Sequence, residues 1–148
     1  MKAVVQRVKH SSVIINNEVY SQIGQGILVL LGIEKDDTEQ EAKYLADKIV
    51  NLRIFENDDG KMNYSVQDIK GELLVVSQFT LAGECSKGNR PAFDKAEKPE
   101  RAVTIYEKFI EFAKNRKIPV KTGKFGAMMD ISLVNDGPVT FILSKKSL

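Results

Sequence analysis

The chain has 148 residues, 43% hydrophobic and 28% charged, with a net charge of +2, one cysteine, one histidine and no tryptophan, which is the size and composition of one water-soluble domain with a real core. With only Cys85 and His10, a disulfide framework within the chain is excluded and a Cys/His zinc site has too few soft ligands. No apolar run approaches the roughly 18 residues of a membrane span, and the start Met1-Lys2-Ala3-Val4-Val5-Gln6-Arg7 is interrupted by charge too early for a signal peptide, so the expected location is cytoplasmic.

In chain order, residues 2–8 and 12–16 read as two strands rich in Val and Ile, and Asn16-Asn17 as a turn into a third strand over 18–23. Gly24 and Gly26 punctuate the chain before 27–33, a continuous apolar strand expected to be buried on both faces. Thr38-Glu39-Gln40-Glu41 is a capping box: the Thr hydroxyl accepts from the first turn and Glu41 reaches back. Ala42, Leu45, Ala46, Ile49 and Leu52 follow at helical spacing, so a helix runs from about 39 to about 51. Asp58-Asp59-Gly60 marks a tight turn. Residues 72–77 form another buried strand, with Gln78-Phe79-Thr80-Leu81 as its end. Residues 82–96 are a long loop carrying Gly83, Gly88 and Pro91, a length that in compact domains often signals function.

Pro99 suits the first turn of a second helix, whose apolar face is Ala102, Ile105, Tyr106, Phe109, Phe112 and Ala113 and whose end lies near 117. Strands over 120–122, 131–134 and 139–143 complete the count, the last two joined by a β-turn at Asp136-Gly137. Two main helices, about eight strands and hairpin-length connections predict an α+β fold: a single domain over residues 1–148 with a largely antiparallel, curled, barrel-like sheet.

Charge is unevenly distributed. Residues 1–74 carry 9 Lys/Arg against 12 Asp/Glu, and residues 75–148 carry 13 against 8. Lys114, Arg116, Lys117, Lys121 and Lys124 follow in quick succession. This asymmetry fits an anionic partner. It equally fits a solvated helix end whose dipole favours cations. A Ser-His-Asp triad would have to use His10, which sits in the polar run Lys9-His10-Ser11-Ser12. Catalysis here must therefore draw on hydroxyls, amides, backbone dipoles or the substrate itself.

Two motifs stand out. Ser77-Gln78-Phe79-Thr80 places polar groups at the end of an apolar strand; as a strand, it turns Ser77 and Phe79 to one side and Gln78 and Thr80 to the other. An ordinary strand end accounts for these residues as well. Asn135-Asp136-Gly137-Pro138 combines a glycine, which lets another backbone approach closely, with the one peptide bond that is cis at modest cost. Two further segments are Lys87-Gly88-Asn89-Arg90-Pro91-Ala92-Phe93 and Thr122-Gly123-Lys124-Phe125-Gly126-Ala127-Met128-Met129. For Arg90, both a surface loop and a phosphate contact are open. For Phe125 and Met129, core packing and base stacking are equally open.

Together, and over nearly the full chain from Val5-Gln6-Arg7-Val8 to Val139-Thr140-Phe141, these motifs resemble the D-aminoacyl-tRNA deacylases, which strip D-amino acids from tRNA. The resemblance implies that Ser77, Gln78, Phe79 and Thr80 line the active site and hold the ester near the attacked carbonyl. It implies that Gly137 and Pro138 form a Gly-cis-Pro filter that reaches into the site of a partner subunit and blocks an L side chain. Arg7 would support that filter, and Phe125 and Met129, with Arg90, would receive the terminal adenosine and the tRNA. No metal or organic cofactor is implied. The partners implied are a second copy of the chain, as a homodimer, and the aminoacylated end of tRNA, including glycine mischarged on tRNA-Ala. Two other classes compete: a non-catalytic homodimeric RNA-binding module using the basic half, and a thiol hydrolase using Cys85 and His10.

Overall fold

The computed structural model describes residues 1–146. The strands are β1 (Lys2–Ile15), β2 (Glu18–Ile23), β3 (Gly26–Gly32), β4 (Phe55–Glu56), β5 (Met62–Tyr64), β6 (Glu72–Ser77), β7 (Val120–Thr122) and β8 (Asp130–Ser144). The helices are α1 (Glu39–Val50) and α2 (Pro99–Lys114), and a 3₁₀ turn spans Phe79–Ala82. The α+β class, the two helices and the curled, barrel-like main sheet are as the sequence leads one to expect. No helix among the described residues is long and apolar enough to cross a membrane.

The main sheet runs β2-β1-β3-β6-β7, with β8 along the other side of β1. The chain reverses from β1 to β2 at Asn16 and Asn17, both at positive φ, a conformation Asn tolerates and a tight hairpin needs. β3 and β6 are parallel, as are β6 and β7, because a helix-bearing crossover separates each pair in sequence. Ser21 of β2 donates its hydroxyl to the Thr122 carbonyl of β7 at 2.7 Å and draws the two ends of the sheet together.

Two corrections apply to the strands. Residues 2–8 and 12–16 are not separate: β1 is one strand through Lys9-His10-Ser11, where a one-residue slip in its register with β8 turns both Lys9 and His10 to solvent without ending the ladder. Residues 131–134 and 139–143 are likewise one strand, and no β-turn divides them. The Gly-Pro step is absorbed as a large bulge. Gln6 pairs with Thr140 and Val8 with Asn135, so the single residue Arg7 stands opposite residues 136–139. The short pair β4–β5, unforeseen from the sequence, brings the strand count back to eight.

The sheet separates two apolar layers. Ala3, Val5, Ile27, Val29, Leu31, Leu73 and Val75 face α1 and α2, where Leu45, Ile49, Ile105 and Phe109 meet them. Val8, Val13, Ile23, Leu28, Leu74 and Val76 fill the inside of the curl. This explains why β3 and β6 read as unbroken apolar runs: both of their faces are covered. The capping box of α1 forms as predicted, with Glu41 accepting from the Thr38 N–H at 2.8 Å and the Thr38 hydroxyl accepting from the Gln40 N–H at 3.2 Å.

Candidate active site

Strand β6 delivers the first motif. Ser77 is its last residue and pairs with Leu31 of β3; the Gln78 N–H still donates to the Leu31 carbonyl at 2.8 Å. The chain then leaves the sheet. Phe79 and Thr80 belong to the 3₁₀ turn, not to a strand, so the expected alternation of Ser77 and Phe79 against Gln78 and Thr80 does not apply. The Leu81 N–H closes the turn on the Gln78 carbonyl at 3.2 Å, and Gly83 on Thr80 at 2.9 Å. The Phe79 and Thr80 N–H groups, first in that turn, donate to no acceptor among the described residues.

Gly32 makes this departure possible. A Cβ there would stand 2.9 Å from Leu81 Cβ and 3.0 Å from the Gln78 carbonyl oxygen, so only glycine lets the turn settle on β3. From below, Lys2 Nζ donates to the Leu81 carbonyl at 3.3 Å. On the exposed side, the Gln78 side-chain amide donates to the Thr80 hydroxyl at 2.5 Å. Phe79, 56% exposed, meets Phe93 of the following loop edge-on at 5.2 Å between ring centres. That loop is itself braced: Glu84 and Ala92 exchange both backbone hydrogen bonds, and Lys95 pairs with Glu84 at 3.1 Å. Hydrogen bonds from Lys95 and Ser86 pull the Glu84 carboxyl down to about 2. The carboxylate nearest to Thr80 in sequence is thus a weak base already engaged elsewhere. Arg90 lies exposed in this loop.

Phe125 and Met129 approach the same end of β6 from β7. The Gly123 N–H donates to the Val75 carbonyl at 3.0 Å, and a Cβ on Gly123 would meet Met129 Sδ at 2.8 Å. Phe125 is half-buried against the helix-side core, tilted over Tyr106 at 5.7 Å. The Tyr106 hydroxyl donates to the same Val75 carbonyl at 2.8 Å, and burial, with the neighbouring Tyr20, pushes its pKa up. Met129 packs on the inner core. Both residues have a core role, and each keeps part of its surface open.

The second motif lies elsewhere on the sheet. Gly137-Pro138 is a cis peptide at the crest of the β8 bulge, with both residues exposed. Gly137 has φ +129, where L side chains rarely fit, and a Cβ there would meet Arg7 Nη2 at 3.1 Å. Beneath the bulge, Arg7 is 5% exposed and donates to the Asp136 carbonyl at 3.0 Å and to the Ile54 carbonyl at 2.7 Å. Arg7 sits in a strand paired on both sides.

The fold therefore gathers Ser77, Gln78, Phe79 and Thr80 with the flanking Phe125, Met129 and the Arg90 loop, and separately gathers Arg7, Gly137 and Pro138. It does not join the two groups within one chain. Ser77 pairs with Leu31, and Leu31 with Ala3, whereas the bulge stands over Arg7. Four residues along β1 and three strand spacings separate them, roughly 20 Å along the sheet. His10 pairs with Val134 in the middle of the β1–β8 ladder and Cys85 lies in the loop after the 3₁₀ turn; no hydrogen bond links them. Two grooves, of about 280 and 440 Å³, lie beside Asp47 and Arg116 and between Lys2 and Asp94, and no motif residue lines either of them. Among the described residues no cluster of three His, Cys, Asp or Glu could hold a metal ion.

Sequence reasoning missed Gly32, Phe93 and Tyr106 as parts of the site. A glycine interrupting an otherwise apolar run was the available sign for Gly32, since glycine in a strand often marks a close backbone approach.

A family model described as D-Tyr-tRNA(Tyr) deacylase matches residues 4–144. A D-aminoacyl-tRNA deacylase of Geotalea uraniireducens is 60% identical over 143 residues, 97% of this chain and 92% of that one. Another, from Thermodesulfovibrio yellowstonii, is 54% identical over 146 residues, 99% of this chain and all of its own length. Among solved structures, one titled c-Myc DNA Unwinding Element Binding Protein superposes with a TM-score of 0.92 at 46% identity, covering 99% of this chain and 100% of that one. A probable eukaryotic D-amino acid tRNA deacylase shares the fold with a TM-score of 0.80 at 18% identity, over 96% and 97% of the two chains.

Proposed function

The chain belongs to the D-Tyr-tRNA(Tyr) deacylase family, and from that membership we propose that it hydrolyses the ester between a D-amino acid and the terminal ribose of tRNA, rejecting L-aminoacyl-tRNA by shape. The observation that carries the reading is the turn after β6. Two backbone N–H groups, of Phe79 and Thr80, have no acceptor there, beside a Gln78–Thr80 hydrogen bond. Backbone donors fixed in a turn that is seated on β3 are what a developing oxyanion needs.

In this mechanism the ester carbonyl lies over the turn and is polarised by those N–H groups. Water adds to the carbonyl carbon, and the ribose oxygen leaves with the proton that the water gives up. Gln78, Thr80 or the neighbouring ribose 2′-OH orients the water. Thr80 positions and does not attack: its hydroxyl is bound by an amide, which cannot take its proton, and a threonine nucleophile needs an activating base. The terminal adenosine sits against Phe125 and Met129, with Arg90 near the phosphates.

Chirality is enforced by Gly137-Pro138. Since these residues lie roughly 20 Å from Thr80 along their own sheet, they serve the site of a second copy, and the working unit is a homodimer. The bulge carries backbone where an L side chain would need room, so rejection comes from a clash. Glycine, with no side chain to exclude, passes, and glycyl-tRNA-Ala is a substrate. A cytoplasmic location belongs to the same reading. The test is a matched panel of D-Tyr-, D-Asp-, L-Tyr-, L-Asp- and glycyl-tRNA. Both D esters and the glycyl ester are released and the L esters spared. Comparable cleavage of L-aminoacyl-tRNA would contradict the assignment, and failure on glycyl-tRNA would contradict its steric form.

A further inference from the structure

From Phe112 to Met129 the chain carries five cations and no Asp or Glu. One of them, Arg116, is committed to Asp47 of α1 at 2.9 Å. The other four, Lys114, Lys117, Lys121 and Lys124, are exposed and enter no ion pair among the described residues. The helix dipole gives a reason for Lys114, in the last turn of α2, and for Lys117 just beyond it. It gives none for Lys121, in a strand, or Lys124, past the end of that strand.

Their placement follows β7. Lys121 pairs with Leu74 and Thr122 with Val75, and Gly123 then donates to the Val75 carbonyl. Lys124 thus stands level with the end of β6, from which Ser77–Thr80 continues, and directly precedes Phe125. Lys117 lies at the opposite end, two residues before Pro119, whose carbonyl accepts from the Leu73 N–H at 3.0 Å. Lys124 and Lys121 lie three residues apart along β7 and its continuation, roughly 10 Å of extended chain, and Lys117 continues the series before the strand begins.

We propose that Lys124 and Lys121, continued by Lys117, form a track for the phosphates of the nucleotides that precede the terminal adenosine. The proposal rests on the deacylase reading and adds to it where the body of the tRNA end leaves the site. Phosphate contacts carry position and affinity but no base sequence. That suits an enzyme that must accept D-amino acids on more than one tRNA. Each phosphate neutralised releases counterions, so the track makes a measurable share of the salt dependence.

The experiment compares the unmodified protein with Lys121→Gln/Lys124→Gln on two substrates: full-length D-Tyr-tRNA across a range of KCl, and D-tyrosyl-adenosine, which has the ester and the base but none of these phosphates. On tRNA the double variant is expected to raise KM by roughly 5- to 20-fold at low salt with kcat little changed. The slope of log(kcat/KM) against log[KCl] should become shallower by about 1.5, near the value for two contacts. Lys121→Arg/Lys124→Arg should restore both. D-tyrosyl-adenosine should be cleaved at the unmodified rate. An unchanged salt slope, or an equal loss on D-tyrosyl-adenosine, would overturn the track while leaving deacylation standing. Failure of the unmodified protein on both substrates would instead overturn the deacylase reading, and the track with it.

Discussion

At the scale of single residues, the site is built from small commitments. The Gln78 amide and Thr80 hydroxyl face one another at 2.5 Å, and a neutral hydrogen bond of this kind is worth about 0.5–1.5 kcal/mol. Thr80→Ala should therefore slow single-turnover deacylation of D-Tyr-tRNA roughly tenfold without abolishing it. Gln78→Ala should cost a similar factor, and the double variant should lose less than the product of the two, because the residues share one contact. An acyl-enzyme trapped on Thr80 and seen by mass spectrometry would reject the positioning role. Gly137 is less forgiving. At φ +129, with Val139 Cγ2 at 2.7 Å and Arg7 Nη2 at 3.1 Å from an added Cβ, Gly137→Ala imposes strain of about 1–3 kcal/mol. Its expected result is a loss of ten- to hundredfold in kcat/KM for D-aminoacyl-tRNA, with helix content by circular dichroism retained.

At the scale of elements, local chemistry was legible wherever one segment decides its own conformation. Thr38–Glu41 and Pro99 announce the helix starts, and the apolar runs of β3 and β6 announce burial. What misled was chemistry that a partner strand overrides. Lys9-His10-Ser11-Ser12 reads as a break, and Asn135–Pro138 as a turn. Pairing between β1 and β8 carries both through, because a bulge can absorb extra residues without ending a ladder. The 3₁₀ turn was hidden for the same reason: its cause, Gly32, lies in another strand. Gly32→Ala should push the turn off β3 and lower kcat more than it lowers the melting temperature, as paired thermal melts and kinetics would register. The capping box offers a stability test. Burial alone would raise the Glu41 pKa, but hydrogen bonds from Thr38 outweigh it and hold the carboxyl below its ordinary value. A lowered folded-state pKa adds stability above the ordinary carboxylate range, which is lost as pH falls through the folded value. Glu41→Gln should cost about 1 kcal/mol near neutral pH, and its melting temperature should converge on that of the unmodified protein in acid.

At the scale of the molecule, each motif of the site could be read from the sequence, but their separation could not, because distance across a sheet depends on register. That separation makes a sharp prediction. A chain disabled at Gln78 and Thr80 keeps an intact Gly137-Pro138, and a Gly137→Ala chain keeps an intact turn. If sites are shared across a twofold axis, mixing the two after denaturation and refolding should recover about a quarter of normal activity, since half the dimers are mixed and each has one whole site. Light scattering should give twice the 16.6 kDa chain mass. No recovery on mixing, with mixed dimers demonstrated, would sink the shared site. The long ladder between β1 and β8 bears on how such a chain comes into being. Lys2 pairs with Ser144, Ala3 with Leu143 and Val5 with Phe141, contacts about as remote in sequence as this chain allows, and such contacts are the slowest to form. On the ribosome, β1 is made long before β8, the strand it pairs with. Until β8 emerges one flank of β1 is without its partner strand, an open edge inviting the wrong neighbour.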